Sequence, residues 1–298
     1  MPEARSLVIQ SVLFGNSAGD IVSAAIASAN SVAHAREAGL VLDWQLALGD
    51  SSPTAVLDAG ALDEIRAAVE RAGGTLRYTV FGANLGSAGG HNALAEPGSS
   101  DLMLILNPDA RMAPDTVTVL ARALVTGVGI TEARQIPLEH PKDFVRGAGD
   151  TSWASTACAL TSRDAFDEVG GFDADTFFLY CDDVDYSWRL RLAGYRVLFV
   201  PAARVFHDKR LTTTADWPAS AAEIYYTDEA ALLLAYKYSR PRLVRSLLAK
   251  YRRTPSDVHS KVLAEYETRR RTGRLPARID PGHRVGNFTK DKYAQHRF

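Results

Sequence analysis

The sequence predicts an α/β fold with a mostly parallel central sheet flanked by helices. Apolar strand-like runs alternate with helix-patterned segments through the first 125 residues, and the turns after the strands are built from Gly, Asn, Asp, Ser and Pro. The chain has 298 residues at 46% hydrophobic content, enough to bury a substantial core.

Residues 7–14 read as a first strand and 21–38 as an alanine-rich helix. A second strand spans 44–48 and ends in Gly49-Asp50-Ser51-Ser52-Pro53, after which 61–72 is helical with Gly73-Gly74 as its stop. Residues 76–81 give a third strand, 89–95 a short helix and 101–106 a fourth strand. Residues 114–125 form a helix with proline at its first position. The βαβαβ order argues for parallel strands with helices on both faces. Ligands then belong at the carboxyl ends of the strands.

Three turns fall at such ends. Asp50 would accept hydrogen bonds from a uracil or thymine ring or a ribose, while a plain Asx turn with Ser51, Ser52 and Pro53 explains it equally well. The turn Asn84-Leu85-Gly86-Ser87-Ala88-Gly89-Gly90-His91-Asn92 would let backbone amides approach a phosphate or base, although its spacing is not the dinucleotide fingerprint. Asn107-Pro108-Asp109 follows an apolar strand, so Asp109 is held rigidly at the sheet edge. There one carboxylate plus diphosphate oxygens can hold Mg²⁺ or Mn²⁺, and a proline β-turn is the structural alternative. His207 follows a strand over 196–201 that would return beside the acidic segment. Its imidazole either completes the metal shell or is a satisfied structural residue.

The densest chemistry is in Gly170-Gly171-Phe172-Asp173, Phe177-Phe178-Leu179-Tyr180 and Asp182-Asp183-Val184-Asp185. Residues 186–192 read as helix, so Asp182 and Asp185 lie near one face while Asp183 points about 100° away, toward a cleft. Favourable charges at the positive end of the helix and an Asp185–Arg189 pair are the structural alternative, strongest for Asp185. Trp153, with Ser155 and Thr156, either lines an acceptor pocket or belongs to the core.

No apolar run approaches the ~20 residues of a membrane span, and the first residues lack the pattern of a signal peptide, so a cytoplasmic enzyme is expected. Cys158 and Cys181 are too few for a disulfide framework and read as buried thiols. Charge is unevenly distributed. From Arg240 onward 16 Lys or Arg stand against 5 Asp or Glu, a net +11, leaving −12 in residues 1–239. In this segment Leu243, Val244, Leu247, Leu248 and Tyr251 recur at helical spacing among arginines. It would either contact an anionic membrane peripherally, at the inner face of the plasma membrane, or pack on the main domain. No nucleic-acid motif accompanies the charge, and nothing in the pattern indicates an oligomeric state.

In their joint order these motifs resemble glycosyltransferase family 2, within it the rhamnosyltransferase-like bacterial enzymes that use Asn-Pro-Asp. The resemblance runs from about Leu7 to Asp208. It implies a GT-A fold in a catalytic domain 1–239, and 240–298, outside the resemblance, reads from its charge and spacing as a helical basic extension. It also implies a donor site of Asp50, Asn84, Gly86, Gly89, Asn92, Asn107 and Asp109, a Mn²⁺ or Mg²⁺ ion on Asp109 and His207, and Asp183 as catalytic base. Trp153, Asp182 and Asp185 would lie toward the acceptor. The activity implied is inverting transfer from dTDP-rhamnose or a UDP-sugar to a glycan, lipid-linked or small-molecule hydroxyl. The chain departs from the family pattern at Gly49-Asp50-Ser51-Ser52, at Asp182, where Glu is usual, and at Asp228-Glu229, which reverses the usual charge after Tyr225-Tyr226. Two other classes remain open. A sugar nucleotidyltransferase would want an arginine-bearing glycine loop after the first strand, which Phe14-Gly15-Asn16-Ser17-Ala18-Gly19 lacks; a non-catalytic nucleotide-sugar-binding partner in polysaccharide assembly would have no use for Asp183.

Overall fold

A computed structural model of the chain describes residues 4–95, 100–139, 142–207, 219–289 and 293. Among them, β1 (Arg5–Leu13), β2 (Val41–Asp50), β3 (Thr75–Val80), β4 (Leu102–Leu106), β5 (Ala110–Met112), β6 (Val128–Ile136), β7 (Cys158–Ser162) and β8 (Arg196–His207) form one sheet in the order β3-β2-β1-β4-β7-β6-β8-β5. The pairs β3/β2, β2/β1, β1/β4 and β6/β8 are parallel, and the pairs made by β7 and β5 are antiparallel.

Both faces are covered, which explains the near-continuous apolar runs of β1 and β4. Leu7, Ile9 and Leu13 of β1 with Leu102, Leu104 and Leu106 of β4 pack on α1 (Ala18–Glu37), α2 (Ala59–Arg71) and α4 (Thr116–Ala123). Val8, Met103 and Ile105 point the other way, toward α3 (Gly86–Leu94), α5 (Arg163–Glu168) and α6 (Asp182–Leu192). The stop after α2 is as read: Gly73 adopts φ +71°, and its amide and that of Gly74 close on Glu70 and Val69. The expected proline start of α4 is not found. The helix begins at Thr116 with Asp115 as its N-cap, because β5 keeps the backbone extended as far as Ala113, whose amide binds the Arg204 carbonyl of β8.

His91 of α3 lies buried under the sheet, its Nδ1 3.3 Å from the side-chain Oε1 of Gln10, and burial lowers its pKa to about 4. The unfolded chain takes up this proton near pH 6.5 and the folded chain only near 4. Stability is therefore full above 6.5 and falls with acidification between those values by up to about 1.4 kcal/mol per pH unit. In His91→Gln that one-proton slope should vanish from thermal melts recorded between pH 4.5 and 6.5; an unchanged slope would place the acid sensitivity elsewhere.

The basic segment from Arg240 onward packs on the rest of the chain through α7 (Ala221–Lys237). α8 (Pro241–Arg253) turns Val244, Leu247 and Tyr251 inward, against Leu232 and Ala235 of α7 and Val262 of α9 (Asp257–Arg271). The chain turns at Ser239, φ 57°, without a break in packing: Phe288 meets Trp188, and Tyr293 meets Trp153. The reversed charges find their reason here. Asp228 faces His259 at 3.2 Å and Glu229 faces Arg269 at 3.6 Å, so both acids dock α9 onto α7. Among the described residues no helix is long and apolar enough to cross a membrane.

Candidate active site

The parallel strands end along one edge, and hydroxyl groups stitch their turns together. Ser11 of β1 donates to the Leu106 carbonyl of β4. Ser52 accepts from the Gly15 amide, and Ser51 accepts from Leu85 at the start of the glycine turn. Asp50 sits at the centre of this edge, fully buried. Its carboxylate accepts from the amides of Ser52 and Val56 and from the Tyr78 hydroxyl at 2.5 Å. Burial works to raise its pKa, but these hydrogen bonds outweigh it and hold the group below the usual carboxylate value. Asp50 therefore organises the turn that a nucleoside would approach, as the Asx alternative has it, rather than pointing out from it.

The glycine turn is shaped by close approach. Gly86 has φ +68° and a Cβ there would lie 2.2 Å from the Phe178 carbonyl oxygen; a Cβ on Gly90 would strike Val12 at 2.7 Å. Gly89 faces only ordinary contacts. Asn84 is exposed and accepts from the Gly86 amide. Asn92, expected to face a donor, is instead satisfied internally. Its amide group donates to the Phe172 carbonyl and its oxygen accepts from the Phe172 amide, which clamps the segment after Gly170-Gly171 onto α3.

Asn107, Pro108, Asp109 and Ala110 make a tight turn, closed by the Ala110 amide on the Asn107 carbonyl at 3.0 Å. β5 then pairs antiparallel with β8, setting Ala110 opposite His207, and this register brings Asp109 Oδ1 within 3.3 Å of His207 Nε2. Asn107 Nδ2 lies 3.4 Å from the same nitrogen. His207 Nδ1 is 2.9 Å from Gln135 Oε1, an atom that can only accept, so Nδ1 donates there and Nε2 is the nitrogen turned toward Asp109. A carboxylate oxygen and an imidazole nitrogen this close can share one divalent cation. No group of three or more His, Cys, Asp or Glu side chains converges among the described residues, so the remaining ligands would come from a diphosphate. The donor set fits such an ion.

The acidic segment enters α6 through two consecutive residues in the left-handed region, Tyr180 at φ 65° and Cys181 at φ 57°. For non-glycine residues this costs about 1–2 kcal/mol each, and it aims the first turn of α6 back at α3. Asp182, Asp183 and Asp185 are all buried but have different surroundings. Asp182 meets the Ser87 hydroxyl of the glycine turn, and one of its oxygens is buried without a hydrogen bond. Burial first, then the Asp183 charge, pushes its carboxyl well above the usual range. Asp183 is the most exposed of the three at 7%, with one oxygen accepting from the Val184 amide.

Asp185 is not turned toward an acceptor. It is 0% exposed, paired to Arg189 at 2.7 Å and to Lys237 of α7 at 2.6 Å, with the Tyr238 hydroxyl at 3.1 Å. Lys237 also holds Asp173 at 2.6 Å, which locks α7 to the Gly-Gly-Phe-Asp turn. Trp153 is likewise a core residue, 3% exposed. The Lys142 ammonium lies 4.1 Å from its ring centroid and is ion-paired to Glu132, whose carboxyl burial raises to about 7 against the pull of that cation.

The strand–loop segment after Trp153 joins the two halves of the site. Asp183 accepts from Ser187 through its carbonyl oxygen, and the Ser187 oxygen accepts from the Ala154 amide. Next in the chain, Ser155 bonds Gln135, which holds His207 beside Asp109. Ser87, Gln135, Tyr78 and Lys237 are the partners that sequence reasoning missed. Gln135 had no distinctive signal, being one of four polar residues in β6, and Lys237 had none either, being 52 positions from Asp185.

No family model matches the chain. It is 29% identical over 230 residues to the N-acetylglucosaminyl-diphospho-decaprenol L-rhamnosyltransferase of Mycobacterium tuberculosis, an alignment covering 59% of this chain and 73% of that protein. It is 36% identical over 67 residues to the rhamnosyltransferase WbbL of Escherichia coli, covering 22% of this chain and 25% of that one. Among solved structures, a mannosyltransferase from Pyrobaculum calidifontis in complex with GDP-Man and Mn²⁺ superposes with a TM-score of 0.56 at 16% identity, over 90% of this chain and 81% of that one. The architecture is therefore the GT-A fold.

Proposed function

We propose that this chain, which belongs with the rhamnosyltransferase-like members of glycosyltransferase family 2, inverts the anomeric centre of a nucleotide-diphosphate sugar as it transfers that sugar to a hydroxyl group. That it is a glycosyltransferase follows from its relatives; the donor, the acceptor and the metal are our reading. The observation that carries this reading is the hydrogen-bonded path from Asp183 through Ser187, Ala154, Ser155 and Gln135 to the His207–Asp109 pair. It supports the reading by tying the residue proposed as base to the pair proposed to hold the diphosphate.

In this mechanism the donor nucleoside lies along the edge organised by Asp50, Ser51 and Ser52, and its diphosphate reaches the turn bearing Asp109. Asp109 and His207 would hold Mn²⁺ or Mg²⁺, which supplies neutralisation of the charge developing on the departing diphosphate. Asp183 accepts the proton of the attacking hydroxyl. A carboxylate is a weak base toward an alcohol, so the proton moves late and positioning contributes much of the rate. Burial, and then the Asp183 charge, raise the Asp182 carboxyl to about 7.

Sequence likeness to the N-acetylglucosaminyl-diphospho-decaprenol L-rhamnosyltransferase favours a rhamnosyl donor, which we take as dTDP-rhamnose, and a lipid-linked sugar as acceptor, at a membrane surface contacted through the basic extension. Calorimetric titration with dTDP, UDP and GDP, each with and without Mn²⁺, tests the donor half. Binding of dTDP that requires Mn²⁺, weakened at least about 100-fold in Asp109→Ala, is expected. Binding that is indifferent to metal and to Asp109 would refute the assignment.

A further inference from the structure

Of the two readings of the basic extension, its apolar stripe follows the packed one, taken up by α7: Val244, Leu247 and Tyr251 are all buried. What remains outside is an open groove between α8 and α9 with a volume of about 610 Å³. Its floor is apolar, made by Val244, Leu248, Leu263 and Tyr266. Its rim carries Arg245 and Arg252 from α8, Arg270 from α9 and Arg278 beyond it, against a single acid, Glu267.

Two of the arginines are already held in place, Arg270 by Glu267 at 2.7 Å and Arg278 over the Tyr236 ring at 4.5 Å. Arg245 and Arg252 are exposed, Arg252 also within the field of Glu267. The groove is thus a net cation built around an apolar trough. Guanidinium groups match phosphate oxygens in geometry and charge, and the trough is far larger than a phosphate alone requires.

From this we infer that the α8–α9 groove seats the phosphate headgroup and first methylenes of an anionic bilayer lipid. The inference rests on the reading of the chain as an enzyme acting at a membrane. The charge division supports the orientation, because the +11 segment would face the anionic surface while the −12 body is held away from it. Each groove arginine then adds to binding through a fixed partner and not only through the diffuse field.

Flotation of the full chain with phosphatidylcholine vesicles, with or without phosphatidylglycerol, tests this without any transfer assay. Its failure would leave the nucleotide titration untouched. The wild type should bind only the phosphatidylglycerol vesicles, and R245A/R252A should lower partitioning by about tenfold or more. R242A/R253A removes the same charge from the same helix about 100° round from the groove, and should lower it by no more than about threefold. Equal losses in the two variants would reduce the effect to diffuse charge and overturn the proposal, as would no loss in either. Displacement of the chain from vesicles by millimolar inorganic phosphate at constant ionic strength would assign the groove to a soluble anion instead. The variants must keep the wild-type melting temperature, and R245K/R252K, which retains charge but loses the fork, should recover only part of the binding.

Discussion

Asp183→Asn is expected to lower turnover about a thousandfold while leaving the fold and nucleotide binding intact. The substitution keeps the shape of the side chain and an oxygen to accept from the Val184 amide, and removes the charge and with it the ability to take a proton. Loss of a positioned general base is worth roughly 10²–10⁴ in rate. The Asp183 charge is one of the two causes that push Asp182 upward, so the variant relieves a repulsion between buried carboxyls. Its melting temperature should therefore equal or exceed that of the wild type. The checks are initial rates with the sugar nucleotide, titration with the matching nucleoside diphosphate, and a thermal melt. A variant that keeps a third or more of the activity would assign the base elsewhere, and one that melts early would show that Asp183 supports the fold instead.

Two residues along, Asp185→Ala should do the reverse. Asp185 is completely buried between Arg189 and Lys237 and accepts from Tyr238; removing it leaves two cations facing a cavity that once held their counter-charge. Breaking one partner of such a pair costs about 3–5 kcal/mol, because the remaining charge stays buried without compensation. Asp173 still holds Lys237, and the carbonyls of Val169 and Gly171 still hold Arg189, which places the loss toward the lower end. Against a total stability of about 5–15 kcal/mol this is large, and the melting temperature should drop on the order of 10 °C. If enough folded variant can be recovered by cooling, its activity per folded molecule should be near that of the wild type. An unshifted melt would mean that the network contributes little, and an inactive but stable variant would restore Asp185 to the site.

These two acids measure how far the sequence could be read. Helical spacing separated Asp183 from its neighbours, and an Asp185–Arg189 pair was foreseeable at i,i+4. What spacing could not supply was Lys237 or Tyr238, brought up from the far end of α7 by packing. Asp182 and Asp185 were expected on one face, yet one meets Ser87 of α3 and the other meets α7, because α6 is wedged between two helices rather than lying against a single cleft. Trp153 is a similar case: only the stacked Lys142 and the ring of Tyr293 decide that it is core.

The basic extension shows the same limit. Its amphipathic period was plain in the residues, and period alone does not say what covers the apolar face. Here Leu232 and Ala235 of α7 do, and the reversed charges Asp228 and Glu229, unexplained in sequence, are the polar half of that contact.

The sequence by itself determined the alternating strands and helices, the turns at the strand ends and the identity of the groups placed there, Asp50, Asp109, Asp183 and His207 among them. These follow from local rules: hydrophobic period, glycine and proline at turns, carboxylates ahead of a helix. Only the tertiary structure decided which of those groups remain available for chemistry. Asp50 and Asn92 have their hydrogen bonds filled from within and Asp185 has its charge neutralised from within, whereas Asp109 and His207 are brought side by side by the antiparallel register of β5 and β8. The reason is physical. A polar group's role depends on whether its hydrogen bonds and charge are satisfied, and beside local partners such as Ser52, Val56 and Arg189 stand others, Tyr78 and His207 among them, that arrive from 28 to 100 residues away.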